Sequence, residues 1–450
     1  MIWYQTQLAW RSMRKNAGLS LLMIVAIGFG VAAAMVTYTS HHLMQSNPLA
    51  HKDFLVAMLQ TDAWHEREPF PGRQKNQMAD TLSYRDIKAL RDSTIPRYVV
   101  PITQWGGTLN LPDYSLKTTM AFVSLTSSDF FPLFEAPFAY GSSWEKSADK
   151  EFRNKVVLTH DINQRLFNGV DSVGREILLE GQVFQVAGVL APWHLGPRRP
   201  EYLGFNNIIE PQIYAPLSLV EQREISPWNQ RDCPDDPVDY GEGYQALLNG
   251  SCQWLTLWLE FHNAADKAAY GDFVASYIRG QKAIGRYPRP LKYALSTPSE
   301  KIRINGLDRS VFYLNSVVGR ALLIVCIVNS VALLLAKFLR QAPEVGVRRA
   351  LGASRAAIFM QHLVESAWIG MAGGALGLAL TFAGLKVLRH AMTQQPTKGL
   401  SAGSVDALFV PDAQVIALTV IVSLIASLAA GAYPAWRVCR TPAALYLKAQ

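Results

Sequence analysis

The sequence lacks the short motifs by which most enzymes bind nucleotides or metal ions. No Gly-Lys dipeptide occurs in its 450 residues, which excludes a P-loop of the G-x-x-x-x-G-K-[ST] type within this chain. Neither H-E-x-x-H nor C-x-x-C occurs, and the nine histidines are scattered along the chain. We therefore expect no catalytic, cofactor-binding or metal-binding residue in this chain.

Charged residues are also scarce, and they are unevenly distributed. They make up 17% of the chain, against about 25% in a typical soluble domain. A helix needs about 20 predominantly apolar residues to cross the hydrocarbon core of a bilayer. Four stretches without charge come near this length, and they predict four transmembrane helices. The stretches are Leu19–Tyr38, Ala321–Ala336, Ser366–Leu385 and Val415–Tyr433.

Lysines and arginines predict the orientation of these spans. They cluster before the first span, between the second and third, and after the fourth, at Arg11, Arg14, Lys15, Lys337, Arg340, Arg348, Arg349, Arg355, Arg437, Arg440 and Lys448. Such clusters stay on the cytoplasmic side of the membrane. We therefore expect a multi-pass membrane protein with both termini cytoplasmic and a large region on the outer side of the membrane. The net charge of +8 is then a topology signal, and nucleic acid is not an expected partner.

The first uncharged stretch is expected to remain in the protein as a membrane anchor. The small residues Ala32–Ala34 would suit a cleaved signal peptide, but the stretch is longer than the 7–15 apolar residues of a signal peptide. Before it, Trp3 and Trp10 share one side of a helix while Arg11 and Arg14 point elsewhere. This pattern is typical of an amphipathic helix that lies on the cytoplasmic leaflet in contact with lipid.

The region between the first and second spans has ordinary soluble composition and predicts a mixed domain of helices and strands. Ser83 with Asp86 three residues later predicts a capped helix start. The other predicted elements are a strand and a helix within Asn154–Phe167, a hairpin around Gly181, and a helix over Ala264–Gln281. Cys233 and Cys252 lie in this domain, on the side of the membrane where disulfides persist, and we expect them to be joined.

The basic stretch PEVGVRRALGASR, residues 343–355, stands between the second and third spans. On a helix, Val347, Leu351 and Ile358 would form a narrow apolar stripe, with arginines beside it. Such a helix can lie on lipid, or it can insert into another protein. Gly346 and Gly352 lower helix propensity by about 1 kcal/mol each, so we expect them to permit close approach of a second protein's backbone.

The same stretch, together with the layout of the chain, resembles the MacB/FtsX-like permeases of ABC transporters. Members carry a segment like E-[IV]-G-[IV]-[RK]-[RK]-A-[LI]-G-A-[ST] after their second span, and here it reads EVGVRRALGAS. Glu365, the glycine-rich GMAGGALG and the closing YPAWRVCRTPAALYLKA are similar to later motifs of the family. VSLTSSDFFPLF, VVLTHDINQRLF and VGREILLEGQVFQVAGVL look like its periplasmic core domain. MacB carries a fused ATPase, so this chain resembles the stand-alone permease subunits.

The resemblance implies a type VII permease: an α-helical membrane protein with four transmembrane helices and a large α+β periplasmic domain of the MacB core type between the first and second. It implies that two paired permeases bind two copies of a separate cytoplasmic ATPase, which holds ATP and Mg²⁺. The docking residues are expected at Glu344, Gly346, Val347, Arg348, Arg349, Leu351, Gly352 and Ser354. In the third span, Gly370/Gly374 and Gly373/Gly377 are overlapping small-x-x-x-small pairs that predict close helix packing.

The expected function is ATP-driven conformational change in the periplasm, with efflux of a periplasmic substrate through an adaptor and an outer-membrane channel. For the second permease, a non-identical subunit is favoured over a second copy of this chain. One alternative within the fold is a FtsX- or lipoprotein-release-like subunit that acts on cell-wall enzymes or lipoproteins. An alternative from another class is a membrane-anchored periplasmic sensor or enzyme that uses no ATPase.

These expectations divide the chain into nine segments. They are an interfacial helix (1–17), span 1 (18–40), the periplasmic domain (41–309), span 2 (310–338), a coupling-helix loop (339–362), span 3 (363–388), a short periplasmic loop (389–412), span 4 (413–434) and a cytoplasmic tail (435–450). Within the periplasmic domain, residues 48–103 and 250–308 are expected to form a membrane-proximal lobe, and residues 104–249 a distal lobe.

Overall fold

The structure is a computed structural model of the chain. It describes residues 2–45, 47–66, 70, 78–115, 117–149, 153–193, 211–228, 231–233, 243–305, 309–393 and 413–440. The chain divides into two compact units, which we call the membrane unit and the sheet unit. The membrane unit consists of Met1–Met44, Leu307–Gln394 and Asp406–Gln450, and the sheet unit consists of Gln45–Gly306 and Gln395–Val405.

The helices and strands of the described residues are numbered in chain order. The helices are α1 (Ile2–Lys15), α2 (Ala17–Gln45), α3 (Tyr84–Arg91), α4 (Phe130–Leu133), α5 (His160–Phe167), α6 (Leu219–Arg223), α7 (Gly243–Asn249), α8 (Ala264–Ala283), α9 (Pro298–Asn305), α10 (Arg309–Ala350), α11 (Arg355–Thr393) and α12 (Ala413–Arg440). The strands are β1 (Val56–Thr61), β2 (Leu82–Ser83), β3 (Tyr98–Asn110), β4 (Thr119–Thr126), β5 (Phe138–Gly141), β6 (Lys155–Leu158), β7 (Glu176–Leu179), β8 (Gln182–Leu190), β9 (Ile213–Pro216), β10 (Gln253–Glu260) and β11 (Tyr293–Ser296).

The membrane unit contains the four helices that the uncharged stretches predict. Within the described part of the chain, the segments long and apolar enough to cross a membrane are Ala17–Thr39, Val317–Ala350, Arg355–Val387 and Ile416–Arg440. They belong to α2, α10, α11 and α12. The preceding helix α1 is separate and packs against α11. The prediction of four apolar helices with an α+β domain between the first and second is confirmed.

The sheet unit is organised around β3, which is 13 residues long. The first segment of β3, Tyr98–Ile102, pairs with β10, and the following segment, Thr103–Leu109, pairs with β4. The strand order is β11-β1-β10-β3-β4-β9-β6-β8-β5, with β2 beside β10 and β7 beside β3 and β8. Strand β3 therefore belongs both to the part of the sheet that contains β10 and to the part that contains β4.

The sheet is covered on both faces. In β1, Ala57 and Leu59 belong to one buried cluster, and Val56 and Met58 belong to a second cluster. Successive side chains of a strand point to opposite faces, so this division places apolar layers on both sides of the sheet. Helix α8 contributes to the first layer, while α4 contributes to the second.

The local elements predicted within this domain are confirmed. Ser83 caps α3, since its hydroxyl oxygen accepts a hydrogen bond from the backbone N–H of Asp86 at 3.2 Å. Strand β6 is followed directly by α5, and α8 covers the predicted range. The hairpin between β7 and β8 turns at Glu180 and Gly181, which both have positive φ. Positive φ at both central residues of a two-residue loop gives the turn a twist that matches the strands.

Candidate functional site

The basic stretch between the second and third spans forms the tip of a helical hairpin. Residues Glu344–Ala350 are the end of α10, which continues through Pro343, and α11 begins at Arg355. Within the expected coupling-helix loop, the basic stretch is therefore a continuation of α10 and not a separate helix. The reason is that Val345 is buried in the same apolar cluster as Phe338 and Ala342, so one continuous helix keeps all three in the core of the membrane unit.

The turn at the tip explains Gly352. The N–H of Gly352 donates to Arg349 O at 3.1 Å, and the N–H of Ala353 donates to Arg348 O at 3.0 Å. This pair of bonds is the Schellman arrangement that ends helices, and it places Gly352 at φ +98°. A Cβ there would meet no atom within 4 Å. Glycine is thus required by the backbone of this turn, and the positive φ accounts for Gly352 without a contact to another protein.

Ser354 begins the next helix. Its hydroxyl oxygen accepts a hydrogen bond from the N–H of Ala357 at 3.1 Å, and its carbonyl accepts from Ile358. These bonds satisfy donors that the first turn of α11 would otherwise leave unpaired. Ser354, which the sequence places among the docking residues, therefore has a structural role in this turn.

The tip exposes two apolar side chains. Val347 is 50% exposed, and Leu351 is 83% exposed. The third member of the predicted stripe, Ile358, is buried in the core of the membrane unit. The stripe is therefore divided, and its exposed part is a small apolar surface formed by Val347 and Leu351. We call this surface, together with the turn Leu351–Ser354, the hairpin tip.

The polar residues beside the hairpin tip contact their own chain. Arg348 donates to Glu344 Oε1 at 2.7 Å and to Gln361 Oε1 at 3.2 Å, which connects α10 with α11. Arg349 donates to Cys439 O at 3.4 Å, which connects α10 with α12. Gly346 is buried within α10. These contacts connect the end of α10 to α11 and α12, while Val347 and Leu351 remain exposed.

The four glycines predicted to pack helices lie on two faces of α11. Gly370 and Gly374 face α12: a Cβ on Gly370 would lie 2.6 Å from the Cβ of Ser427, and one on Gly374 would lie 3.0 Å from the Cβ of Ser423.

On the other face, a Cβ on Gly373 would lie 2.9 Å from Ile27 Cγ2, and one on Gly377 would lie 3.1 Å from the carbonyl oxygen of Gly28. Helix α11 therefore lies close to both α12 and α2, and both contacts depend on the absence of side chains.

One buried cluster is missed by sequence reasoning. Lys337 Nζ of α10 lies 2.6 Å from Glu365 Oε1 of α11, and both side chains are 0% exposed. His362 is buried beside them. The sequence interpretation assigned Lys337 to the basic topology signal and Glu365 to a motif of the family, and it did not pair them. An isolated carboxylate at the edge of an apolar stretch could have signalled the pair, because such a group requires a partner.

In the sheet unit, the structure joins Cys233 and Cys252 in a disulfide. Cys252 directly precedes β10. The neighbouring backbone is also paired, since Asp232 and Gln253 exchange hydrogen bonds of 3.1 and 2.8 Å. The disulfide thus fixes one end of the intervening loop to a central strand. Among the residues that the structure describes, no group of three or more His, Cys, Asp or Glu side chains could hold a metal ion.

Comparison with known proteins agrees with this architecture. Residues 20–260 match the family described as the MacB-like periplasmic core domain, and residues 316–443 match the FtsX-like permease C-terminal family. The macrolide export ATP-binding/permease protein MacB of Neisseria gonorrhoeae is 20% identical over 340 residues, which cover 75% of this chain and 46% of that protein. MacB of Neisseria meningitidis serogroup A is 23% identical over 333 residues, which cover 73% and 45%.

This chain thus spans about half the length of the curated relatives it matches. Among solved structures, the periplasmic region of MacB from Actinobacillus actinomycetemcomitans is similar at 11% identity and a TM-score of 0.35. That match covers 56% of this chain and 94% of the other.

Four apolar helices, an α+β domain between the first two, and a C-terminal permease region define a permease-type membrane subunit of ABC transporters. Within this class, the chain belongs to the MacB/FtsX-like family of type VII permeases. The predicted family and fold class are both confirmed.

Proposed function

We propose that this chain is the permease subunit of an ABC transporter in which a separate cytoplasmic ATPase drives conformational change in the periplasm. The observation that carries the proposal is the hairpin tip. It presents Leu351, the most exposed of its large apolar side chains, on a turn whose backbone is fixed by hydrogen bonds. A rigid apolar projection of this kind suits insertion into a cleft of a partner protein, where a few buried anchors supply most of the binding energy.

Helix α10 provides a direct mechanical connection from the tip. It has 42 residues, which corresponds to about 63 Å at 1.5 Å per residue. The hydrocarbon core of a bilayer is only about 30 Å thick, so the helix is long enough to cross the membrane and extend well beyond it. Because the helix is continuous through Pro343, a displacement of the tip is passed along one element.

The sheet unit joins the two chain segments that lead to the first and second spans. Asn47, just after α2, donates to Asp53 Oδ1 at 2.7 Å and to Ser299 Oγ of α9 at 2.9 Å. The N–H of Ser299 donates to the same Asp53 oxygen at 2.8 Å. Farther along α9, Lys301 forms a buried ion pair with Asp80. These contacts connect the segment that follows α2 with the segment that precedes α10, within the sheet unit.

The proposed assembly contains two permeases and two copies of the ATPase, with ATP and Mg²⁺ bound by the ATPase. A non-identical second permease is favoured, and a periplasmic adaptor with an outer-membrane channel would complete an export pathway. The names of the relatives, which describe macrolide export, support efflux as the outcome. In this proposal the protein is a multi-pass inner-membrane protein, its sheet unit lies in the periplasm, and both termini are cytoplasmic.

The proposal is tested by disabling the hairpin tip. Arg348→Glu combined with Leu351→Ala should release the ATPase that co-purifies with the wild-type chain from its native host. Loss of a buried anchor costs about 2 kcal/mol or more of binding, which corresponds to roughly thirtyfold weaker affinity. The matched control is Val387→Ala, because Val387 is an exposed apolar residue of α11 far along the helix from the tip.

The control should keep the ATPase and melt at the wild-type temperature. The double variant should remain folded but melt slightly lower, because Arg348→Glu removes the contacts to Glu344 and Gln361. If the double variant retains the ATPase as tightly as wild type and still couples hydrolysis to transport, the tip is a membrane-surface element and the proposal is wrong. A wild-type chain that binds no P-loop ATPase at all would favour a membrane-anchored sensor or enzyme instead.

A further inference from the structure

A buried ion pair joins the two helices of the hairpin within the membrane unit. Lys337 of α10 and Glu365 of α11 approach to 2.6 Å, and neither side chain is exposed. Replacing a buried ion pair by apolar residues of similar volume is often neutral or stabilising, because the desolvation penalty can exceed the attraction between the charges. Stability of the bundle therefore gives no reason for a charged pair at this position.

Hydrogen bonds extend this pair to two further helices. Ser12 of α1 donates to Glu365 Oε1 at 2.6 Å, and Gln341 of α10 donates to Ser12 Oγ at 2.7 Å. Lys337 donates to Ser20 Oγ of α2 at 2.9 Å. One network thus connects the interfacial helix, the first span and both helices of the hairpin. We call it the four-helix polar network.

The surroundings of Glu365 leave its partners well defined. His362 Nδ1 lies 3.8 Å from Glu365 Oε2, which is too long for a hydrogen bond, and its ring packs 4.1 Å from the ring of Phe338. In the part of the chain that the structure describes, Glu365 is therefore hydrogen-bonded by Lys337 and Ser12. Both contacts come from outside α11, so the carboxylate fixes the positions of other helices relative to its own.

The ion pair of Lys337 and Glu365 lies a short distance from the hairpin tip along each helix. Lys337 precedes Ala350, the end of α10, by 13 residues, and Glu365 follows Arg355, the start of α11, by 10 residues. At 1.5 Å per residue these separations are about 20 and 15 Å of helix. Arg348 and Gln361 connect the two helices between the tip and the pair. The tip and the network are thus parts of one stiff hairpin.

We propose that Lys337 and Glu365 are positioning residues that hold α1 and α2 in register on the hairpin, so that a displacement of the tip moves the interfacial helix and the first span together with the second and third. This inference rests on the proposed function for its use by the transporter. The network itself can be tested without an ATPase. When helices slide past each other, buried polar groups lose their partners, which is costly, so a polar network restricts a bundle to one register. Apolar contacts permit several registers.

The experiment measures how tightly α1 is held. Spin labels are placed at Arg11→Cys in α1 and Ala356→Cys in α11, both exposed positions, in a full-length chain whose free Cys326 and Cys439 are replaced by alanine. Distance distributions between the labels are recorded by pulsed electron paramagnetic resonance in lipid nanodiscs. Thermal melting of each variant checks that the chain is folded.

Two variants remove the network in different ways. Lys337→Met with Glu365→Leu removes the charges, and Ser12→Ala with Ser20→Ala removes the hydroxyls that reach α1 and α2 but keeps the ion pair. Each should broaden the distance distribution at least twofold while the melting temperature stays close to wild type. If the charge variant fails to fold, the width of the distance distribution in the serine variant tests the proposal.

The matched control is Ser423→Ala with Ser427→Ala. These buried hydroxyls of α12 donate within their own helix, at Val420 O and Leu424 O. The control should keep the wild-type width. If the folded network variants also keep that width, the inference is overturned, whether or not the ATPase binds the tip. Conversely, failure of the ATPase to bind would reject the proposed function and leave the measured widths unchanged.

Discussion

The contact between α11 and α12 gives a quantitative prediction at Gly370. Placing alanine there brings its Cβ to 2.6 Å from the Cβ of Ser427 and to 3.2 Å from the carbonyl oxygen of Ser423. Carbon atoms in contact are normally about 3.5–4.0 Å apart. Rotation of the serine side chain cannot relieve the clash, because the Cβ is fixed by the backbone. The two helices must therefore separate by about 1 Å.

Overpacking of this kind typically costs about 1–3 kcal/mol, while alanine gains about 1 kcal/mol of helix propensity over glycine. Gly370→Ala should therefore lower the free energy of unfolding by up to about 2 kcal/mol. The matched control is Gly18→Ala in α2, because a Cβ on Gly18 meets no atom within 4 Å. The control should gain stability, so the two variants should differ by about 2 kcal/mol.

The readout uses a thiol on the same helix as Ser427. Cys439 of α12 is buried and not in a disulfide, so its modification by a maleimide reports opening of the bundle during titration with sodium dodecyl sulfate. Cys326 is replaced by alanine in all variants. Adding Ser427→Gly to Gly370→Ala should restore tight packing, with a coupling energy of about 1–3 kcal/mol between the two sites. If Gly370→Ala is as stable as Gly18→Ala, or if Ser427→Gly restores nothing, the packing argument fails.

Three further predictions concern other parts of the chain. Reducing the Cys233–Cys252 disulfide, which closes a loop with a sequence separation of 19, should destabilise the sheet unit by about 3 kcal/mol, measured by urea unfolding with and without reductant; an unchanged midpoint would contradict this. Gly352→Ala should cost the turn about 1–2 kcal/mol because of its positive φ, and hydrogen exchange at the end of α10 should quicken, while wild-type protection would argue against strain. In intact cells an impermeant maleimide should label Ser142→Cys and spare Ser354→Cys. The reverse pattern would show that the predicted topology is wrong.

The positions of the spans could be predicted because a bilayer imposes a length and a composition that a single sequence shows directly. The hairpin tip was harder to predict. The sequence predicts one apolar stripe of Val347, Leu351 and Ile358, but the structure divides it between surface and core, and this division depends on where α10 ends. That end is set by the backbone of Gly352, and the burial of Val345 keeps the helix intact through Pro343.

The buried pair could not be derived from its residue types alone. Lys337 follows an apolar run and belongs to a cluster of basic residues, so the same lysine fits a topology signal and an ion pair equally well. Its partner Glu365 is 28 positions further along the chain, and only the packing of α10 on α11 brings them together. Ser12 and Ser20 carry no sequence signal at all, because small hydroxyl residues are common both in helices and at their ends.

The shared strand β3 has a consequence for how the sheet unit tolerates change in length. An insertion within Tyr98–Asn110 would shift one part of the pairing relative to the other, because β10 reads the first five residues and β4 reads the next seven. Every side chain beyond a one-residue insertion would move to the opposite face, which would exchange the side chains of the two faces in one part of the sheet only. Loops can therefore lengthen during evolution at the hairpin ends, whereas the length of β3 is constrained because this strand sets the register with both β10 and β4.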